Sequence, residues 1–218
     1  MIVVLDGIDG CGKTTLAIRL ARALEAVGWT VKALRDPGGT ETGEQIRALV
    51  KDARVPMDPH TQMLLFSAAR CELAHQAITP WLLGQGLGRV VVLDRWWFST
   101  FAYQTTQGVA GGLIRAVAEG TAWIPLDPAL CFWLDVPVRE AQARRARATS
   151  DAGAHDRFDQ RGVEFATRVR DGYERLYRDR LLTRIDADHP PEAVFADVWA
   201  KVQTEGLRYG PPTPRTES

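Results

Sequence analysis

The sequence predicts an α/β fold with helices on both faces of a parallel β-sheet, and three observations lead to that prediction. Short apolar runs alternate with longer amphipathic segments along the chain, which is typical of βαβ units. The run at 90–93 is apolar throughout, as expected for a parallel strand buried on both faces. The length of 218 residues suits one domain with a sizeable core, and no internal repeat or interdomain linker interrupts it.

The elements follow from these patterns in chain order. Apolar runs predict five strands, at residues 2–5, 30–34, 90–93, 130–134 and 181–185. Amphipathic segments predict helices at residues 14–26, 42–51, 59–83 (in one or two pieces), 98–107, 113–122, 138–148, 165–178 and 191–204. We expect one domain over residues 1–206, a mobile loop at 149–154 and a disordered, proline-containing tail at 207–218.

Composition excludes several classes of function. Lys and Arg number 27 and so do Asp and Glu, giving no net charge, whereas proteins that bind nucleic acid usually carry a basic excess. The 3 cysteines are scattered and the 4 histidines lack metal-ligand spacing, so neither a disulfide framework nor a zinc site is indicated. The N-terminus does not resemble a signal peptide, and no apolar stretch is long enough to cross a membrane. We therefore expect a cytoplasmic protein with neither nucleic acid nor membrane as partner.

A phosphate-binding loop (P-loop) follows the first predicted strand and opens the first predicted helix. Residues 7–14 match G-x-x-x-x-G-K-[ST] without a mismatch, and their position between strand and helix makes a chance match improbable. Its glycines allow backbone N–H groups to point at phosphate oxygens, and the helix N-terminus adds positive potential. Lys13 is expected to reach the β- and γ-phosphates, and Thr14 to bind Mg²⁺. The predicted ATP-binding residues are Gly7, Ile8, Asp9, Gly10, Cys11, Gly12, Lys13, Thr14 and Thr15.

The acidic residue after the third strand supports the same prediction. Asp94 ends the apolar run at 90–93, and a carboxylate in this position orients Mg²⁺ or its water ligands in P-loop proteins. A guanine-reading N-K-x-D motif is absent, which argues against a GTPase. These two motifs alone still allow an ATPase that acts on a protein partner.

Three further segments carry a resemblance to a known family. They are Arg35-Asp36-Pro37-Gly38-Gly39-Thr40, Phe66-Ser67-Ala68-Ala69-Arg70, and Asp94-Arg95-Trp96-Trp97-Phe98-Ser99-Thr100-Phe101-Ala102-Tyr103-Gln104. With the P-loop, in this order and spacing, they resemble thymidylate kinase over roughly residues 1–200. The resemblance implies a three-layer P-loop NTPase fold with a five-stranded parallel sheet. It also implies a homodimeric phosphotransferase that uses ATP and Mg²⁺ to convert dTMP to dTDP for dTTP synthesis.

The residues themselves suggest how a monophosphate would be held. Arginine gives phosphate two parallel hydrogen bonds from a group that is always charged, so Arg35, Arg70 and Arg95 are candidates. Phe66 lies one helical turn before Arg70, and both therefore face the same way. A phenylalanine there could stack on a base, although the sequence alone favours an ordinary core residue.

The resemblance assigns finer roles to several of these positions. It implies that Arg95 lies between donor and acceptor phosphates, that Arg70 reaches the base and phosphate side, and that Phe66 stacks on thymine. Asp9 would be catalytic, addressing the sugar 3′-hydroxyl and helping to arrange the phosphates. Tyr103 would pack against the sugar and disfavour a 2′-hydroxyl. The remaining residues predicted to line the acceptor site are Pro37, Ser99, Thr100 and Gln104.

An arginine-rich segment at 139–161 is predicted to form a lid over ATP. It contains Arg139, Arg144, Arg145, Arg147, Arg157 and Arg161. A charged helix is most often a solvated surface, but nucleotide kinases carry a lid here that excludes water and supplies cations. Some family members place an arginine where this chain has Cys11, and others take the catalytic arginine from the lid. We therefore predict that Arg147 is catalytic and that Arg144 contacts ATP.

The chain also departs from the family pattern. Asp36 replaces a glutamate, Trp96 replaces a tyrosine with Trp97 beside it, and Phe158 stands where some members have tyrosine. These changes keep the phosphate machinery but leave other acceptors open, such as dUMP, dGMP or UMP. A non-kinase P-loop ATPase is the second alternative. The predicted mechanism is direct in-line transfer without a phosphoenzyme, in which Lys13 and Arg95 stabilise charge.

Overall fold

A five-stranded sheet forms the centre of the computed structural model, which describes residues 1–84, 88–121, 129–148 and 161–206. The strands are β1 (Ile2–Asp6), β2 (Thr30–Arg35), β3 (Arg89–Asp94), β4 (Ala129–Asp135) and β5 (Thr183–Asp186). The helices are α1 (Lys13–Ala26), α2 (Glu41–Lys51), α3 (Pro59–Leu73), α4 (Thr79–Leu83), α5 (Trp97–Thr105), α6 (Gly111–Thr121), α7 (Val138–Ala148), α8 (Val163–Arg178) and α9 (Pro191–Gly206). The predicted loop at 149–154, Arg157, Phe158 and the tail at 207–218 lie outside the described residues.

All strand pairs are parallel, in the order β2-β3-β1-β4-β5. The central strands β1 and β3 are almost completely buried, while β2 at one edge is partly exposed. This architecture confirms the predicted α/β fold with a five-stranded parallel sheet. In such sheets ligands bind beyond the carboxyl ends of the strands.

Local sequence signals explain where several helices begin and end. The Thr40 side chain accepts a hydrogen bond from the Gly43 amide at the start of α2, and Asp58 caps α3 in the same way. Pro59 occupies the first turn of α3, where its missing N–H costs nothing. Helix α1 ends at Ala26, and Gly28, two residues later, has a φ of 93°, in the left-handed region that glycine adopts readily.

The core joins the sheet to the helices on its two faces. Val3, Val4 and Val92 have no exposed surface and belong to one buried cluster with Leu20 and Leu24 of α1. A second small cluster around Met63 lies beneath α3 and α6. The strands that carry the P-loop and Asp94 are thus the most deeply buried part of the fold, which gives the site a rigid base.

The segment predicted as one or two helices between 59 and 83 is a continuous helical stretch with a π-helical turn at Ala74–Ile78, between α3 and α4. The last strand is Thr183–Asp186, two residues later at its start than predicted, because Leu181 and Leu182 close the turn after α8. Within the described ranges, none of the helices has both the length and the apolar character needed to cross a bilayer.

Candidate active site

The carboxyl ends of β1, β2 and β3 lie side by side at one end of the sheet. In the β1–β3 register Leu5 lies opposite Asp94, and in the β2–β3 register Arg35 lies opposite the same residue. The residues that follow these positions therefore project from adjacent strand ends. This register brings the P-loop, the Asp94-Arg95 pair and the Arg35-Asp36 pair together, although they are far apart in the sequence.

The P-loop has backbone conformations that only glycine adopts without strain. Gly7, Gly10 and Gly12 have φ values of 145°, 86° and 99°. A Cβ on Gly10 would lie 2.1 Å from the Ala141 carbonyl oxygen, so the start of α7 packs directly on the loop. The close approach places the arginines of α7 beside the phosphate-binding loop.

Lys13 lies across the inside of this loop. Its ammonium group donates hydrogen bonds to the carbonyl oxygens of Gly7, at 3.1 Å, and Ile8, at 2.8 Å. The Cys11 thiol is buried against it, 3.5 Å from the Lys13 Nζ, and burial raises the pKa of this thiol. Cys11 therefore fills space as a neutral group, and Lys13 provides the positive charge of the loop.

Thr14 and Asp94 form a pair of oxygen groups at the end of the loop. The Thr14 hydroxyl donates to Asp94 Oδ2 at 2.5 Å. The other carboxylate oxygen, Oδ1, is buried and has no hydrogen-bond partner among the described residues. Mg²⁺ prefers oxygen ligands and is usually held by one or two protein groups plus phosphate and water, so this donor set fits that ion.

Asp9 and Arg95 form an ion pair in the middle of the site. Arg95 Nη2 donates to Asp9 Oδ1, and the Tyr103 hydroxyl donates to Asp9 Oδ2 at 2.9 Å. Burial alone would raise the pKa of Asp9, but Arg95, Lys13 and the Tyr103 hydrogen bond outweigh it and hold that pKa well below its usual range. Asp9 is therefore an anion at every physiological pH.

Arg95 also has an unusual backbone conformation. Its φ is 74°, in the left-handed region that costs a residue with a side chain on the order of 1 kcal/mol or more. Its guanidinium donates to the Gly7 carbonyl oxygen at 3.1 Å and to the Ser99 hydroxyl at 2.8 Å. Ser99 and the Trp96 amide in turn donate to Asp6, a residue that sequence reasoning did not identify.

A cleft beside Arg95 contains most of the predicted acceptor residues. Its walls include Asp9, Pro37, Phe66, Arg70, Arg95, Ser99, Thr100, Tyr103 and Gln104. Phe66 is only partly buried and lines this cleft, so it is not an ordinary residue of the hydrophobic core. The predicted one-turn spacing of Phe66 and Arg70 on α3 thus places both on the same wall.

Arg70 is fixed within this cleft by buried partners. Its Nε donates to Asp36 Oδ2 at 2.7 Å and its Nη2 donates to Thr100 Oγ1 at 2.6 Å. The guanidinium lies 5.6 Å from the centroid of the Trp96 ring, and that ring is itself 1% exposed. Asp36 and Trp96, noted as departures from the family pattern, therefore both support Arg70.

Several buried polar atoms on this wall have no hydrogen-bond partner among the described residues. They are Arg70 Nη1, Asp36 Oδ1, and both Oε1 and Nε2 of Gln104. Buried polar groups are normally paired, because an unpaired one loses its interaction with water. Their residues line the cleft, so a ligand that enters it would meet a wall with unpaired donors and acceptors.

Arg35, a predicted acceptor residue, is not among the walls of the cleft beside Arg95 and is paired with Glu44. Its Nη2 donates to both carboxylate oxygens of Glu44, at 3.1 and 2.9 Å, and the Gly39 amide donates to the same group. The Gly39 hydrogen bond, together with Arg35, lowers the pKa of Glu44. Arg35 is about half exposed and lines the cleft that also contains the P-loop.

That second, larger cleft contains the P-loop residues from Asp9 to Thr15 and, from α7, Arg144, Arg145 and Arg147 but not Arg139. Arg144 donates to Glu140 at 2.8 Å and to the Ala187 carbonyl oxygen at 2.9 Å, which joins α7 to the loop after β5. Arg147 is 71% exposed in its side chain and contacts Glu140 at 3.4 Å. Arg145 is near enough to Asp9 to lower the pKa of that carboxyl.

Arg161, another predicted lid residue, does not line the P-loop cleft. Arg161 lies over the Phe165 ring at 4.5 Å. The cleft instead includes Arg19 from α1 and the segment at 187–191, neither of which sequence reasoning identified. The only sequence signal for that segment was its place after the last strand, where the carboxyl end of a parallel sheet binds ligands.

Comparison with known proteins agrees with this arrangement. A model of the thymidylate kinase family matches residues 5–198. The thymidylate kinase of Acinetobacter baylyi is 37% identical over 209 residues, covering 93% of this chain and 98% of the relative. Those of Chlorobium chlorochromatii and Prosthecochloris aestuarii are both 35% identical, covering 94% and 91% of this chain and 95% and 91% of the relatives. The chain therefore belongs to the thymidylate kinase family.

Proposed function

We propose that this protein transfers the γ-phosphoryl group of ATP to dTMP, forming dTDP for dTTP synthesis. One observation carries the proposal: the P-loop cleft and the acceptor cleft meet at Asp9 and Arg95, which line both. A phosphate held by the P-loop and a monophosphate held near Arg70 would face each other across this pair. The names of the similar proteins support the same reaction.

The donor side is suited to a nucleoside triphosphate. Lys13 and the amides of residues 7–14 would hold its phosphates, and Arg144 and Arg145 would approach them from α7. Arg19 and the segment at 187–191 form the far wall of the cleft, where the nucleoside would lie. The helix arginines are positioned to neutralise charge and to exclude water, which would otherwise accept the phosphoryl group.

Mg²⁺ is part of the proposal. Thr14 and Asp94 are the residues that would hold it, and it would neutralise phosphate charge when bound. In the part of the chain that the structure describes, no group of three His, Cys, Asp or Glu side chains could form a full protein cage. A site of few protein ligands suits an ion that arrives with a nucleotide.

The acceptor side is suited to a nucleotide with a pyrimidine base. Phe66 offers an aromatic face for stacking, and the unpartnered atoms of Arg70 and Gln104 offer donors and an acceptor for a base edge. The sugar would lie beside Asp9 and Tyr103, which share a hydrogen bond, and its phosphate would lie beside Arg95, the other partner of Asp9. Pro37, Ser99 and Thr100 complete the walls of the cleft. The Thr100 hydroxyl accepts a hydrogen bond from Arg70, and the Ser99 hydroxyl accepts one from Arg95.

Transfer requires positioning and charge stabilisation rather than a strong base, because the attacking monophosphate oxygen is already a nucleophile. Lys13 and Arg95 would stabilise charge on the moving group, with an arginine from α7 closing over it. We keep Arg147 as the proposed catalytic arginine of α7. Arg145, whose charge reaches Asp9, is the competing choice.

We also propose a cytoplasmic homodimer. All three cysteines are free thiols, which suits a reducing compartment. Leu64 on α3 and Leu113 on α6 are 55% and 43% exposed, on helices that pack against each other. Such apolar side chains suit an interface between two copies, and sedimentation of the unchanged protein against a Leu64→Glu variant would test this.

The experiment that tests the proposed function is a panel of acceptors. Purified protein with Mg·ATP would be given dTMP, dUMP, dGMP, dCMP, UMP or GMP, and ADP release would be measured. We expect dTMP to give the highest kcat/KM and the protein alone to release little ADP. Preference for another monophosphate would overturn the assignment of the base, and release of ADP independent of acceptor would overturn the kinase.

A further inference from the structure

Asp6 is a carboxylate with no exposed surface at the end of β1, and the scheme above gives it no part. An ionised carboxylate is costly to bury unless hydrogen bonds replace its water. Asp6 has four such donors: the Gly7 amide at 3.0 Å, the Trp96 amide at 3.0 Å, the Ser99 hydroxyl at 2.6 Å and the Tyr173 hydroxyl at 2.7 Å. The carboxylate therefore joins the start of the P-loop, the start of α5 and helix α8 at one point.

These donors share a relation to Arg95. Trp96 follows it in the chain, and fixing the Trp96 amide restrains the backbone of Arg95, whose φ is 74°. Ser99 accepts a hydrogen bond from Arg95 Nη1 at 2.8 Å while donating to Asp6. The Gly7 carbonyl oxygen accepts from the same Arg95 nitrogen at 3.1 Å. Asp6 thus restrains both the backbone and the guanidinium of Arg95.

Tyr173 reaches Asp6 from helix α8, which packs on α5. Helix α8 approaches α5 so closely that a Cβ on Gly172 would lie 2.8 Å from the Ala102 Cα. The Tyr173 ring stacks on Trp133 at 6.2 Å, with 13° between the planes. Burial and, after it, the Asp6 charge raise the pKa of Tyr173, so the phenol stays protonated and donates.

We infer that Asp6 is a positioning residue for phosphoryl transfer, which holds Arg95 between the two nucleotide sites through Ser99 and the Trp96 amide. This inference rests on the proposed function. Asp6 is not among the residues that line either cleft, and its Oδ1 lies 4.0 Å from Arg95 Nη1, so its effect on transfer is expected to pass through Arg95. Arg95 is expected to act most strongly on the transition state, where charge develops, and a displaced guanidinium should lower kcat more than it raises KM.

A purely structural role makes a different prediction. If Asp6 only paired the buried hydrogen-bond donors around it, its loss would lower stability and the amount of folded protein. That loss would be the same with or without Arg95. If it positions Arg95, its loss should matter only while Arg95 is present. Effects of residues that act as one unit are not additive, so a double-mutant cycle separates the two roles.

The experiment measures kcat and KM for dTMP with Mg·ATP for Asp6→Asn, alone and combined with Arg95→Ala. We expect Asp6→Asn to lower kcat by roughly 100-fold, the loss typical of a catalytic group displaced by about 1 Å, with KM changed less than about threefold. In the Arg95→Ala background the same change should cost less than about twofold. Additive effects in the two backgrounds would overturn the inference.

Tyr173→Phe is the milder second variant, in case Asp6→Asn does not fold. It removes one hydrogen bond to Asp6, and we expect a loss of about fivefold in kcat that also disappears with Arg95→Ala. The matched control is Asp135→Asn at the end of β4, a carboxylate buried to a similar degree and held by Arg170 and Arg184. Its effect should be additive with that of Arg95→Ala.

The two proposals fail in different ways. If the unchanged protein turns over dTMP but Tyr173→Phe and Asp6→Asn lose the same factor with and without Arg95, the positioning role is wrong and the function stands. If the unchanged protein shows no acceptor-dependent turnover, the function is wrong and the role of Asp6 in it is wrong as well.

Discussion

Arg70 in the acceptor cleft and Arg147 on α7 are both expected to meet a nucleotide, but their surroundings differ. Arg70 is 2% exposed and is held by the Asp36 carboxylate and the Thr100 hydroxyl. Arg147 is 71% exposed in its side chain and has a longer contact with Glu140. The first arginine is ordered when the chain folds, whereas the second must be ordered when substrate binds.

This difference suggests a division of labour. A preformed cleft selects its ligand well, because a wrong base leaves buried polar atoms unpaired. An exposed, adjustable helix suits a lid that must open for ADP to leave and ATP to enter. We therefore expect base selectivity to depend on the acceptor cleft, and the rate of transfer to depend on the residues where the two clefts meet.

The largest effect is expected at that meeting point. Arg95→Ala should lower kcat by roughly 10³-fold, because it removes a cation that stabilises the transferring phosphoryl group. KM for dTMP should change far less. Steady-state kinetics with Mg·ATP check this, and a variant whose loss is confined to KM would show that Arg95 only binds the acceptor.

The next largest effect is expected for the exposed Arg147 on α7. Arg147→Ala should lower kcat by roughly 10²-fold if this arginine closes on the phosphates, with little change in selectivity among monophosphates. Arg145→Ala is the matched control on the same helix. A larger loss for Arg145→Ala than for Arg147→Ala would move the catalytic role to Arg145.

A smaller effect on turnover, with a clear effect on stability, is expected for the buried Asp36–Arg70 pair. Asp36→Asn leaves the Arg70 charge buried without its carboxylate, which typically costs about 3 kcal/mol of stability. The free energy of unfolding should fall by that order, and KM for dTMP should rise about tenfold as Arg70 loses its orientation. An unchanged KM in a folded variant would show that the Asp36–Arg70 pair has no part in acceptor binding.

The smallest effect is a dependence of stability on pH. The pKa of Asp9 is lower in the folded protein than in the unfolded chain, so its ionised form stabilises the fold. That stability is present above the unfolded pKa of about 3.9 and is lost as pH falls below it. Urea unfolding at pH 6 and pH 3 should therefore show a smaller difference between the unchanged protein and Asp9→Asn at the lower pH. A difference that stays constant would contradict the ion pair with Arg95.

The sequence could predict features that are local or carried by a short motif. The P-loop is contiguous, so Lys13 and Thr14 could be placed without a structure, and Asp94 followed from its strand. Phe66 and Arg70 are one helical turn apart, and helix geometry alone put them on the same side. The parallel sheet followed from alternating elements, whereas its strand order, β2-β3-β1-β4-β5, came only from the structure.

Other features depend on contacts that no local pattern encodes. Tyr173 meets Asp6 across 167 residues, and in the sequence each looks like an ordinary helix or strand position. The partnership of Asp36 with Arg70 depends on how α3 lies against the end of β2. Arg35 was predicted to bind the acceptor phosphate. Its ion pair with Glu44 depends on how the start of α2 lies beside the end of β2, which no local pattern encodes.

The most direct test of the central claim is to follow the phosphoryl group itself. ATP carrying a radioactive γ-phosphate would be mixed with dTMP, Mg²⁺ and the protein, and the nucleotides and the denatured protein would be separated. We expect labelled dTDP formed in equal amount to ADP, with no label on the protein. Label released as inorganic phosphate, or retained on the protein, would contradict direct transfer between two nucleotides at Asp9 and Arg95.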